Sequence, residues 1–146
     1  MAEPQSLEGG RLQVGIVVRN LDTMVAFYTD VLGLTHVGDI AVEARDGLLG
    51  GTLMMFSLGD ASVKLLSLGE APQLANPPDG VKGGASGLRY LTVAVEDVGR
   101  TVASCEALGL PVPVGLFEYQ PGVPIAVVED PDGNWVELIR RTPRGP

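Results

Sequence analysis

One stretch of this chain is written twice. Gln13-Val-Gly-Ile-Val-Val-Arg-Asn-Leu-Asp22 is answered 77 residues later by Tyr90-Leu-Thr-Val-Ala-Val-Glu-Asp-Val-Gly99, and Val63-Lys-Leu-Leu66 by Val136-Glu-Leu-Ile139. An internal repeat constrains the fold more than any single residue does, because each copy must be one supersecondary unit built the same way. It also makes Gln13 equivalent to Tyr90 and Lys64 equivalent to Glu137.

Each copy reads as strand, helix, then three strands. Residues 1–11 hold Pro4, Gly9 and Gly10 and form a loose N-terminal arm. The first module spans 12–68. It opens with an apolar, Val- and Ile-rich strand at 12–18, followed by a helix capped by Asn20 or Asp22. That helix places Leu21, Met24, Val25, Tyr28, Val31 and Leu32 on one face, and Gly33 stops it. Strands are expected at 35–40, 52–58 and 62–68, the last two joined by the short turn Gly59-Asp60. Residues 69–88, rich in Pro and Gly, form a linker rather than a buried element. The second module spans 89–141, and 142–146 is a C-terminal tail. Its helix carries Val98, Val102, Cys105 and Leu108 at apolar spacing. Strands follow at 112–116, 124–128 and 135–140, with the turn Asp130-Pro-Asp-Gly-Asn134 before the last.

The expected fold class is α+β: two βαβββ modules in tandem, forming a curved mixed-sheet cup. Period-two alternation decides what faces the cup. If Val14, Ile16 and Val18 pack under a helix, then Gln13, Gly15 and Val17 face the cup, as do Tyr90, Thr92 and Ala94 in the repeat. Lys64 and Leu66, with Trp135, Glu137 and Ile139, come from the closing strands.

Composition removes several function classes. Ten Lys plus Arg against eighteen Asp plus Glu leave a net charge of −8, which opposes nucleic acid and anionic membranes as partners. The single cysteine, Cys105, permits no intrachain disulfide or thiolate zinc site, and its place in a helix pattern reads as core. No apolar run is long enough to span a bilayer, and the polar start lacks the features of a signal peptide, so the expected location is cytoplasmic. A phosphate-cradling glycine loop, a nucleophile elbow and a dinucleotide fingerprint are all missing.

Three segments carry a resemblance: Val14-Gly-Ile-Val-Val18, Ala26-Phe-Tyr-Thr-Asp-Val-Leu-Gly-Leu34 and Asp130-Pro-Asp-Gly-Asn-Trp-Val-Glu-Leu138. Across about 12–140 the chain resembles the vicinal oxygen chelate superfamily, which includes glyoxalase I, bleomycin-resistance proteins and extradiol dioxygenases. The resemblance implies a small-molecule substrate or ligand and a homodimer. In members that use a metal, it also implies ligands from the first and last strand of each half. Those positions here hold Gln13, Lys64, Tyr90 and Glu137. Glu137 fits, and Gln13 is tolerable. Tyr90 is a poor donor until its proton leaves, and the ammonium of Lys64 has no lone pair. No cofactor is therefore expected, a divalent metal being the minority alternative.

Three functions stay open. The first is a metal-independent isomerase, epimerase or lyase moving a proton beside a carbonyl. Glu137 is its base, Lys64 and Tyr90 its electrophile or acid, and Gln13, Thr92, Phe56 and Trp135 contact the substrate. The second is a non-catalytic protein that sequesters a drug or metabolite, with Trp135, Phe56, Phe117 and Tyr119 as stacking surfaces. The third is a metal-dependent glyoxalase-type lyase or dioxygenase. A purely structural role for Lys64 and Glu137, as a buried ion pair, competes with all three.

Overall fold

The computed structural model describes residues 11–47 and 50–141; the N-terminal arm up to residue 10 and the tail 142–146 lie outside the described residues. Both repeats form the expected α+β arrangement. Strand β1 (Gln13–Val17) leads to helix α1 (Leu21–Ala26), then to β2 (Thr35–Val42), β3 (Gly51–Leu58) and β4 (Ala61–Leu68). The second copy runs β5 (Tyr90–Ala94), α2 (Val98–Ala107), β6 (Val114–Gln120), β7 (Val123–Glu129) and β8 (Trp135–Ile139). Each set of strands makes a four-stranded mixed sheet, in the orders β1-β4-β3-β2 and β5-β8-β7-β6. In both, the first and last strands of the repeat lie side by side and parallel. The β6 strand begins two residues later than expected and runs to Gln120, with two register irregularities against β7.

By packing, the chain divides into two compact units that do not follow the repeat boundary. The first gathers β1 with Leu34–Ala71, and the second gathers Arg19–Gly33 with everything from Pro72 on. Helix α1 therefore packs with the second copy, although the sequence places it in the first.

In the first unit, one sheet face carries Val63, Leu65 and Phe56, all buried, with Val14 and Ile16 half-buried beside them. The other face carries Gln13, Gly15 and Val17, which are exposed. The second unit repeats this alternation, with Val93, Val136, Leu138, Val128 and Ala126 buried on one face and Tyr90, Thr92 and Ala94 exposed on the other. Fully burying an aliphatic side chain stabilises by about 1.5–3 kcal/mol, so this half of each strand supplies the fold's stability. The remaining half is available for chemistry.

Helix α2 lies against β6 and β7. Its start is capped by Asp97, whose Oδ1 accepts from the Arg100 amide at 2.9 Å. Val98, Val102 and Cys105 are buried, and burial, with Glu106 nearby, pushes the Cys105 thiol above its ordinary value, which leaves it unreactive. Leu108, expected on the apolar face, sits at the C-cap instead and is 64% exposed.

The cap expected on α1 does not form. Asn20 occupies the N-cap position, but its Nδ2 donates to Asp132 Oδ1 at 3.0 Å rather than satisfying the helix. The helix then widens into a π turn over Phe27–Val31. That turn buries both Phe27 and Tyr28.

The β7–β8 turn is the polar centre of the second unit. Asp130, 2% exposed, accepts through Oδ1 from the Asp132 amide (3.0 Å), the Asn134 amide (2.9 Å) and Asn134 Nδ2 (3.1 Å). Its Oδ2 accepts from Tyr28 Oη and from Asn134 Nδ2, each at 2.9 Å. Desolvation nevertheless outweighs these bonds and raises the Asp130 pKa, while burial and the Asp130 charge push the Tyr28 phenol well above its usual value.

Candidate functional site

The register on each open face fixes which candidate side chains meet. In the second unit Thr92 is level with Glu137, and Tyr90 with Trp135. Thr92 Oγ1 donates to Glu137 Oε1 at 3.0 Å, so two of the expected site residues are joined directly. A hydroxyl held to a carboxylate on a neighbouring strand fixes the carboxylate's rotamer and leaves its second oxygen for a ligand. Tyr90 sits two residues earlier on the same strand face and is 51% exposed.

Trp135 shares this face but is 5% exposed. Its Nε1 donates to Glu129 Oε1 at 3.1 Å, and Gly80 lies so close that a Cβ there would overlap the indole ring. The linker around Gly80 is thus partly a buried element, a 3-10 turn over Gly80–Gly83, where a plain connector was expected. Glu129 was not foreseen as a site residue. It stands opposite Trp135 on β7, and counting residues outward from the Asp130–Asn134 turn would have found it.

In the first unit Gln13 is level with Ser62 and Gly15 with Lys64. Met55 is Lys64's partner on β3, so it shares that face. A Cβ at Gly15 would meet nothing within 4 Å, leaving open space beside the lysine. Among the described residues Lys64 makes no side-chain hydrogen bond or salt bridge, and His36 Nε2 instead contacts Asp39 Oδ1 at 2.6 Å.

Phe56, expected to contact the ligand, is placed elsewhere. It pairs with Val63, on the face opposite Lys64, and is fully buried with its ring 5.1 Å from that of His36. The cause is hairpin register: Leu58 opposite Ala61 puts Met55, not Phe56, across from Lys64. Phe117, opposite Ile125, lies on the open side of the second sheet and is 46% exposed; Tyr119 is 65% exposed.

The sequence model of the glyoxalase/bleomycin resistance protein/dioxygenase superfamily matches residues 10–138, nearly the whole chain. The chain belongs to that superfamily. Among solved superfamily structures, a glyoxalase family protein from Bacillus cereus overlays with a TM-score of 0.79 at 21% identity, covering 96% of this chain and 97% of that one. The trypanothione-dependent glyoxalase I of Leishmania major gives a TM-score of 0.63 at 25% identity, over 88% of this chain and 84% of its own. By sequence, the uncharacterized protein YaeR of Escherichia coli K12 is 27% identical over 128 residues, 88% of this chain and 93% of that one. Superfamily membership accounts for the paired βαβββ order and for small-molecule binding as the general role. Among the described residues no helix is long and apolar enough to cross a membrane.

Proposed function

We propose that the chain is a small-molecule enzyme of the superfamily, a metal-independent isomerase, epimerase or lyase, with Glu137 as general base. The observation that carries this reading is the Thr92–Glu137 hydrogen bond on an open sheet face, with Tyr90 beside it. A half-buried carboxylate oriented by one donor, its second oxygen unpaired among the described residues, has the geometry a base needs. Glu137 takes a proton from the carbon next to a carbonyl, and the electron pair moves onto the carbonyl oxygen. A hydrogen bond from Tyr90 stabilises the enolate oxygen. Protonation of the opposite face by a second acid, the role open to Tyr90, gives epimerisation; return of the proton from Glu137 to the next carbon gives isomerisation, and loss of a β-substituent gives elimination. Lys64 and Gln13 enter the reading through the repeat, as the counterparts of Glu137 and Tyr90.

The donor set argues against a divalent metal. The four family positions offer one carboxylate, one amide, one phenol and an ammonium that cannot coordinate. Among the described residues no three His, Cys, Asp or Glu side chains come together. Stoichiometric Zn, Ni, Mn or Fe in the purified protein, by elemental analysis, would overturn this part of the reading. Assembly as a homodimer belongs to the proposal on family grounds, and molar mass in solution tests it.

The catalytic reading is tested in D2O with a panel of carbonyl compounds bearing an α-proton, following loss of that proton by NMR. Wild type is expected to wash it out, and Glu137→Gln to slow the exchange by about 10²–10⁴-fold while still binding the compound. Equal exchange in both would remove Glu137 from the role of base. A compound bound tightly and recovered unchanged, with no exchange, would replace catalysis by sequestration.

A further inference from the structure

Most of the side-chain hydrogen bonds that fasten the linker of the second unit come from Arg89. Arg89 Nε donates to Gly80 O at 3.1 Å, Nη1 to Asn76 Oδ1 at 3.2 Å, and Nη2 to Pro77 O at 2.7 Å and Pro78 O at 3.4 Å. A second tie runs from Asn76 Nδ2 to Asn134 Oδ1 at 3.0 Å. Between these anchors, Gly80 lies against the Trp135 indole, so close that a Cβ there would overlap the ring. The segment has almost no apolar attachment otherwise: Val81 is 60% exposed and Leu74, just before it, 87%. Asp79 is also held in the left-handed region at φ 63°, a conformation costly for a residue with a Cβ.

From these contacts we infer that residues 76–83 are a strap that opens and closes over Trp135, with Arg89 as its clasp. All four Arg89 acceptors are neutral oxygens, and three of the four bonds are exposed to solvent. A segment held by exposed hydrogen bonds and one glycine–indole contact opens far more readily than the sheet beneath it. Closed, the strap limits a ligand to the Tyr90, Thr92 and Glu137 end of the face. Open, it adds Trp135 and Glu129, and the ligand class it admits is one with a planar apolar group to lie on the indole. Arg89 is thus a positioning residue for specificity, acting through the strap. This consequence rests on the open face being the ligand site; the strap's motion does not.

Because Trp135 is the chain's one tryptophan, its emission reports the strap without any ligand. Arg89→Ala is expected to raise acrylamide quenching of Trp135 about threefold and to red-shift its emission, while cooperative thermal unfolding is kept. Gly80→Ala, which drives a Cβ into the indole, should give the same signature with the Arg89 side chain still present. In the wild type, hydrogen exchange at the Lys82 and Gly83 amides, both bonded to Asp79 O, should run about 100-fold faster than in β7 and β8. Unchanged quenching in both variants, or strap amides as slow as those of β7 and β8, would overturn the proposal. Should Arg89→Ala not fold, the wild-type exchange rates decide it. None of these readouts uses Glu137, so failure of the strap and failure of the base are separate results.

Discussion

The two copies of the repeat keep the same parallel strand pair and place opposite chemistry on it. In the second, Thr92 is level with Glu137 and holds its carboxylate. In the first, Gly15 is level with Lys64, and space opens where a side chain would be. One copy offers an oriented anion, the other a cation that keeps its torsional freedom. The next position along diverges as well: Trp135, covered by the strap, corresponds to Ser62. On the buried faces the copies barely differ, with Val63 and Leu65 answered by Val136 and Leu138. Within these strand pairs the divergence falls on the face opposite Val63, Leu65, Val136 and Leu138. A core substitution costs stability wherever it falls, whereas the open face can be rewritten freely.

The closing turns diverge in the same direction, and here the largest effect is expected. The first copy joins β3 to β4 through the exposed pair Gly59 and Asp60; the second joins β7 to β8 through Asp130–Asn134, whose buried carboxylate also holds Tyr28 of the π turn. Asp130→Ala leaves several donors unpaired and should cost about 3 kcal/mol, a fall of roughly 6–12 °C in Tm for a chain of this size. Asp60→Ala should move stability by no more than about 0.5 kcal/mol. Equal losses at the two turns would show that the asymmetry is only apparent.

The same carboxylate gives the comparison a pH dependence. Because burial raises the pKa of Asp130 above the ordinary value of 3.8, the folded chain holds this proton more tightly than the unfolded chain. Its contribution is then fully present below about pH 3.8 and is lost as pH rises through the elevated native value. Asp130→Asn cannot titrate. In urea unfolding across that range, the stability of wild type relative to Asp130→Asn should therefore fall as pH rises; a difference that grows with pH would reverse the sign and the assignment.

How much of this was legible beforehand follows from what each feature depends on. The repeat, the alternation and the turn residues are local signals, and they placed β1, β5 and β8, the open-face positions of Gln13, Lys64, Tyr90 and Glu137, and the corners at Gly33 and Gly109. Phe56, read from the sequence as a ligand contact, lies on the buried face, and the signal for that is local: a two-residue turn at Gly59–Asp60 sets the hairpin register, and that register carries Met55 to Lys64. Others had no local signal. Packing of α1 with the second unit depends on Tyr28 reaching Asp130, 102 residues away, and on Asn20 reaching Asp132. The strap depends on Arg89 finding carbonyl oxygens in a Pro- and Gly-rich stretch that composition marks only as a linker. Long-range polar contacts are where sequence periodicity is silent.

On the open faces the expected effects are smaller and concern function. Thr92→Ala frees the Glu137 carboxylate and should lower the rate of solvent-proton exchange about tenfold with little change in binding, the mark of lost orientation rather than lost affinity. Thr92→Ser keeps the hydroxyl and should restore most of the rate. An alanine variant as fast as wild type would mean that the hydrogen bond is structural only.

The smallest effect comes from giving the first copy what the second already has. Gly15 lies mid-strand with no positive φ, and a Cβ there meets nothing, so Gly15→Thr adds a β-branched side chain without strain. Strand preference alone should raise stability by about 0.5–1 kcal/mol, read as a higher urea midpoint at unchanged slope. The hydroxyl would also stand level with Lys64, filling the open space and narrowing the ammonium's rotamers. If the missing side chain matters to the reaction, kcat/KM in the exchange assay falls severalfold even as the fold is strengthened. Such a stability gain with an activity loss would mark Gly15 as a residue whose missing side chain is its function. A gain in both would instead leave the first copy as scaffold and place the chemistry wholly on Thr92 and Glu137.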